Sequence, residues 1–214
     1  GETVELSDSC TFYALTTLSG GSFIQGTNND IYISSNTTLA SGAFTKDTGS
    51  GKVYFVGDLT LASANQNLGN VIIGSSPDTT TLTEDFTADS LTISSGDVFN
   101  TKGYEVTVTT DIVINGTLDC TDSPPSNEGD GTIITLGRDW TKAATSTFTV
   151  AGSTVTFTNS SSTSTLTGST TFFTLISTQT AKAIKFSSNT ITYVTGYLNF
   201  ENITLRSTLN GATW

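Results

Sequence analysis

The chain has no histidine, no methionine, three prolines, two cysteines and only eight lysines and arginines in 214 residues. Each scarcity excludes something. Without histidine there is no imidazole for a triad, for general base work or for the usual metal site. No apolar run approaches 18 residues, so no segment reads as a transmembrane helix and membrane insertion is not expected. Nineteen acids against eight bases give a net charge of −11, which argues against nucleic acid and against anionic lipid as partners. Arg138 and Arg206 are the only arginines, and no nucleophile-elbow pattern occurs. Asp58, Asp97, Asp111 and Asp139 have the chemistry of polysaccharide-cleaving carboxylates, but nothing places them on one face. We therefore read the chain as a non-enzyme.

What is present is a core and a texture. Hydrophobic residues make up 35% of the chain, with 12 Phe, enough for one all-β domain. The first residue is Gly1 in place of an initiator Met, which points to a processed N-terminus or a fragment. No window carries the i, i+3, i+4, i+7 apolar spacing of a helix. Instead Val106 and Val108 alternate with Thr107 and Thr109, and Val155 and Phe157 with Thr154, Thr156 and Thr158. Period two with one apolar face is a strand signature, and Thr suits the wet face because its branched Cβ favours extended backbone.

A second period is longer. Apolar clusters recur at Ile31–Ile33, Val53–Phe55, Val71–Ile73, Leu91–Ile93, Ile112–Ile114, Ile133–Ile134, Val155–Phe157, Phe173–Leu175, Ile191–Tyr193 and Ile203–Leu205, mostly about twenty residues apart, with Gly, Asn, Asp and Ser between them. A repeat of this length with strands, turns and no helix predicts an all-β parallel β-helix (β-solenoid), in which coils stack about 4.8 Å apart. The competing architecture is a β-sandwich or jelly roll. Tight hairpin dipeptides are few, Asn115-Gly116 and Asn210-Gly211, which favours the solenoid. We assign 30–214 to the solenoid and 1–29, which matches the pattern less well, to an N-terminal cap or donated strand. The stretch from Ser153 to Thr178 then reads as one coil, with Val155, Phe157, Leu166, Phe173 and Leu175 in its core.

The blocks SLTISSGDVFNTKGYEVTV, GRDWTKAATSTFTVAGSTVTF and NITLRSTLNGATW resemble the Thr/Ser/Gly-rich repeats of very large bacterial surface and secreted proteins, similar in logic to adhesin and autotransporter passenger domains. The resemblance covers roughly 67–214. It implies a parallel β-helix at the cell surface or outside the cell, with further coils beyond Trp214, and it implies no chemistry.

Candidate sites are sparse. Cys10 and Cys120 are the only cysteines and the disulfide candidates of an extracellular β-protein. Stacked in sequence order, their neighbouring clusters at Ile31 and Ile112 lie four coils apart, about 20 Å, too far for a bridge unless the N-terminal segment folds back or two chains are joined. The loop carrying Asp119, Asp122, Asn127, Glu128 and Asp130 offers the oxygen ligands of a Ca²⁺ site, at a spacing that fits no EF-hand, so a solvated, protruding loop is the simpler reading. No other cofactor is expected. Asn36, Asn115, Asn159 and Asn202 head glycosylation sequons. Trp140, between a turn and a strand, is the aromatic freest to stack on a sugar ring, whereas Tyr104 and Tyr193 share parity with core positions.

Ice binding needs Thr-x-Thr on one face of successive coils. Thr107/Thr109 and Thr154/Thr156 qualify, and Ile112–Ile114 and Ile133–Ile134 between them are expected to break the array. The functional expectation is a structural subunit or segment of a fibre, sheath, stalk or surface layer, with an adhesin or carbohydrate-binding module as the alternative. Its partners are expected to be copies of itself, joined end to end or by donation of Thr3–Leu18, and glycans.

Overall fold

The computed structural model describes residues 2–13, 21–75, 77–121, 131–159 and 163–208. Every described element is a strand, and every ladder between strands is parallel. The chain is an all-β solenoid of about nine turns with coils about 21 residues apart.

Each full coil contributes strands to three faces. The long face holds ten strands in sequence order: Cys10–Phe12, Ile31–Ile33, Lys52–Phe55, Asn70–Ile73, Ser90–Ile93, Ile112–Ile114, Trp140–Lys142, Thr163–Thr167, Ala183–Phe186 and Thr204–Ser207. At about 4.8 Å per step this stack is about 43 Å long. The second face runs from Thr37–Thr38 through Leu59–Ala62, Thr79–Leu82, Val98–Asn100 and Thr117–Asp119 to Thr147–Thr149. The third face precedes the long face in each coil. It begins with Thr3–Glu5, Ser22–Ile24 and Phe44–Thr45, and continues after a single bridge at Asn67 with Phe86–Ala88, Val106–Val108, Ile133–Leu136, Thr154–Phe157, Thr170–Ser177 and Thr192–Phe200.

Period two now has a physical meaning. In-facing positions stack into continuous rows along the axis, such as Ile31, Val53, Val71, Leu91, Ile112, Trp140 and Leu166 on the long face. All seven are buried. A second row, Phe86, Val106, Ile134, Val155 and Leu175, lines the third face from inside. The solenoid thus has one core without a break, and each coil depends on its neighbours to bury its apolar side. Close stacking also fixes some glycines: a Cβ at Gly168, whose φ is +87°, would run into the carbonyl oxygen of Lys142 one coil below.

Two expectations about the core change. Val155, Phe157, Leu166 and Leu175 are buried, but Phe173 is 40% exposed and Phe172 takes its place inside. The strand Thr170–Ser177 runs for eight residues, twice the length of its neighbour Thr154–Phe157. The register against Thr192–Phe200 slips between Phe172 and Thr174, so the in-facing parity changes there. Gly196 sits at this bulge, where a Cβ would meet the Phe173 ring. For the same reason Val194 packs on the core while Tyr193, expected inside, is 56% exposed.

The segment assigned to a cap or donated strand contributes the first coil. Thr3–Glu5 pairs with Ser22–Ile24 and Cys10–Phe12 with Ile31–Ile33, so the described part of the expected donor is already engaged within its own chain.

Candidate functional surfaces

Turn carboxylates and amides bind one coil to the next. Asp30 Oδ1 accepts the Lys52 N–H at 2.9 Å, Asn36 Oδ1 the Thr60 N–H at 2.8 Å, Asp58 Oδ1 the Thr79 N–H at 2.8 Å, and Asp139 Oδ1 the Thr165 N–H at 2.8 Å. Asp97 is buried and its Oδ1 accepts the Asp78 N–H at 2.9 Å. Asp111 takes the Arg138 guanidinium, Nε to Oδ1 at 2.8 Å with a second contact from Nη2 to Oδ2. The acids that a catalytic reading would need are thus hydrogen-bonded to backbone or to arginine, at turns of different coils. Charge-assisted bonds of this kind satisfy N–H groups that the turns leave outside the ladders.

Asp47 is the staple that gathers the most backbone N–H groups. It is 7% exposed, and its carboxylate accepts the N–H groups of Gly49 at 2.8 Å, Asn28 at 3.0 Å and Gly51 at 2.6 Å. Burial alone would raise its carboxyl; the surrounding N–H groups outweigh that and hold it below the ordinary carboxylate value. Buried Gln25 completes the cluster: its Oε1 accepts the Asp47 N–H at 2.9 Å and its Nε2 donates to the carbonyls of Asn29 and Lys52 at 2.8 and 3.2 Å.

The cysteines do not meet. Cys10 stands in the in-facing row of the long face, five strands from Ile112, about 24 Å. Cys120 follows the second-face strand of the Ile112 coil, and both thiols are free. Burial pushes the Cys120 thiol up to about 12, against the opposing pull of the Thr132 and Thr101 hydroxyls. The expected bridge within the chain is therefore absent, and the buried Cys120 offers no thiol at the surface for one between chains.

Trp140 is not a surface ring. It is fully buried, with ring centroids of Phe148 at 4.9 Å and Phe172 at 5.1 Å, and its Nε1–H donates to Thr170 Oγ1 at 3.2 Å. No face is left for a sugar. The indole is the in-facing residue of a three-residue strand that starts directly after the turn Gly137-Arg138-Asp139, too short a strand to show alternation. Tyr104 is half-buried against the core, and Tyr32 and Tyr54 stack on each other on the outer side of the long face at 4.5 Å and 10°.

Of the expected Ca²⁺ loop, Asp122, Asn127, Glu128 and Asp130 lie outside the described residues. Asp119 is half-buried and its Oδ1 accepts the Thr121 N–H at 3.0 Å. Among the described residues no group of three or more His, Cys, Asp or Glu side chains is placed to hold a metal ion. Of the sequon asparagines, Asn36 is engaged as above, Asn115 and Asn159 are half-buried, and Asn202 is exposed in a left-handed turn at φ 56°.

The threonine array is less broken than expected. Ile112–Ile114 belongs to the long face, so it does not interrupt the third face, and the coil of Ile133 and Ile134 places Thr135 outward. Thr87, Thr107, Thr135 and Thr156 therefore stand in register on four successive coils. Beside this row Ile133, Thr154 and Thr174 stand in register, but Thr174 is buried and does not extend an exposed array.

The last coils differ from all others. Eight of the nine exposed large apolar side chains among the described residues lie in the first coil (Val4, Tyr13) or from Phe173 onward, which places the unsatisfied apolar surface at the ends. Leu175, Phe186, Val194, Leu198, Phe200 and Leu205 line a cavity of about 350 Å³ at the C-terminal end. Among the described residues the nine-residue strand Thr192–Phe200 pairs on one side, with Thr170–Ser177. Comparison with protein-family models, with curated proteins and with solved structures finds no match for this chain.

Proposed function

We propose that the chain is a structural segment of an extracellular or surface assembly, a rod-like β-solenoid that serves as a fibre, sheath or stalk element. The observation that carries this is the stack itself: one continuous core under parallel ladders runs through all the described coils, so the chain extends along a single axis. Unpaired N–H and C=O groups and apolar rows at a solenoid end require either a cap or another coil. The likeness in texture to bacterial adhesin and passenger repeats supports a surface location. The use of turn carboxylates as staples and the burial of Trp140 support this reading over an enzyme or a sugar-binding module built on those residues.

Immuno-electron microscopy of the native source tests the proposal: label on regular filaments, a sheath or stalks is expected. Soluble material that shortens a polysaccharide, or that is retained by insoluble glycans, overturns it in favour of an enzyme or a carbohydrate-binding module.

The row Thr87, Thr107, Thr135, Thr156 favours a second reading, binding to ice. Hydroxyls repeated about 4.8 Å apart on a flat parallel sheet offer an ordered crystal face a matching surface. Thermal hysteresis that disappears on Thr135→Tyr would support this reading, and its absence in the parent chain would remove it.

A further inference from the structure

Tyr32 and Tyr54 occupy the same outward position on consecutive strands of the long face, Ile31–Ile33 and Lys52–Phe55. Because the ladder is parallel and in register, the two side chains leave the sheet in the same direction, one coil step of about 4.8 Å apart. Their rings lie face to face, with centroids 4.5 Å apart and planes inclined by 10°. Both residues are half-buried, so each ring keeps access to solvent, and the Tyr32 hydroxyl is in hydrogen-bonding contact with that of Tyr54. We propose that this pair is a site of oxidative coupling: an oxidant of the peroxidase class, acting with hydrogen peroxide, joins the two rings into a dityrosine that ties one coil to the next.

The geometry supplies proximity. Two phenoxyl radicals couple through ring carbons ortho to their oxygens, and in-register stacking holds those carbons of the two rings beside each other before any oxidant arrives. Groups already held near contact react far faster than groups that must first find each other. The pair is also singular: among the described residues it is the one contact between two tyrosine rings, the other ring contacts joining Phe to Phe or Trp140 to Phe. Tyr13, Tyr193 and Tyr197 are exposed without a second tyrosine against them, and Tyr104 packs on the core.

Burial, the neighbouring phenol and the Asp30 carboxylate raise the Tyr32 phenol, and burial and Asp30 raise that of Tyr54. Both are therefore protonated at neutral pH. Each phenol gives up one electron and one proton, and the two radicals form a single carbon–carbon bond. The hydrogen on each coupled carbon then moves as a proton to the oxygen of its own ring and restores the hydroxyl. The chain loses two hydrogen atoms in all, and hydrogen peroxide takes them up and is reduced to two molecules of water. The new bond spans the same coil step as the hydrogen bond from the Lys52 N–H to Asp30, and gives a covalent tie to a chain whose two cysteines are free.

The test treats the full chain, dilute enough that chains seldom collide, with a haem peroxidase and hydrogen peroxide. The expected product is a monomer lighter by two hydrogen atoms, with dityrosine fluorescence. Trypsin, which cuts after Lys46, Lys52 and Lys102, should then release the peptide 1–46 joined to 53–102. Tyr32→Phe and Tyr54→Phe should each abolish the joined peptide, although phenylalanine keeps the ring and far-UV circular dichroism should match the parent. Tyr13→Phe, which removes the other tyrosine of the first peptide, should leave it in place. After coupling, hydrogen exchange at 31–55 should slow severalfold.

A joined peptide that persists in Tyr32→Phe would place the link at Tyr13 and overturn the inference. So would tyrosine consumption that yields only dimers and larger species, or an unchanged monomer under conditions that couple free tyrosine in a parallel reaction. The assembly that the rod serves does not enter any of these outcomes.

Discussion

The cluster around Asp47 permits a quantitative perturbation. Asp47→Asn keeps the volume and one acceptor but removes the charge and turns an NH₂ group toward backbone donors. The carboxylate takes three N–H groups, from Gly49, Asn28 and Gly51. A hydrogen bond to a charged group contributes about 1.5–3 kcal/mol. Because the three share one carboxylate and are not additive, we expect a loss of about 3 kcal/mol. A solenoid opens coil by coil, so the loss should be local. Hydrogen exchange should accelerate at 22–55 by about two orders of magnitude, 3 kcal/mol being roughly a factor of 150, and little in the coils of Leu91 to Phe157.

The same group fixes a pH dependence. Its folded carboxyl is held below the unfolded value of about 3.9. Its stabilisation is therefore complete above that value and is lost as pH falls through the folded one. Below that point parent and variant should converge in the N-terminal coils. Unchanged protection in 22–55 at pH 7, or equal loss along the whole rod, would refute the assignment of Asp47 as the staple of this end.

Further expectations are simpler to check. Phe172→Ala should cost about 3–5 kcal/mol and Phe173→Ala less than about 1 kcal/mol in chemical denaturation, because only the former empties the core; equal costs would contradict the bulge. Trp140→Ala should destabilise by a similar 3–5 kcal/mol and quench most native tryptophan fluorescence, with no glycan retention to lose in the parent. A thiol reagent should label Cys10 and leave Cys120 untouched until denaturant is added, since Cys120 is both enclosed and held protonated.

The strands and their stacking were legible because in-facing and out-facing residues differ so sharply, Val against Thr. The three-faced coil was not. The evenly spaced clusters from Ile31 to Ile112 mark the long face, but Ile133, Val155 and Phe173 mark the third. The step from Ile112 to its true neighbour Trp140 is 28 residues rather than about 21, so an even beat concealed a change of face. Because Ile112–Ile114 lies on the long face, it leaves the threonine row of the third face uninterrupted. Parity changes at Phe173 and Tyr193 because the ladder between their two strands slips register there. The staples were illegible because an Asp in a turn looks the same whether it caps its own backbone or that of a coil twenty residues away. Trp140 was misplaced because three residues are too few to show alternation.

The most direct test of the proposed structural role is electron microscopy of the concentrated full chain, with the axial repeat measured. Each copy brings about nine or ten coils at about 4.8 Å, so rods should lengthen in steps of about 45 Å at constant width, with a 4.8 Å spacing along the rod axis. Particles that stay at one length at every concentration, or that thicken sideways with the 4.8 Å spacing across the rod, would contradict it.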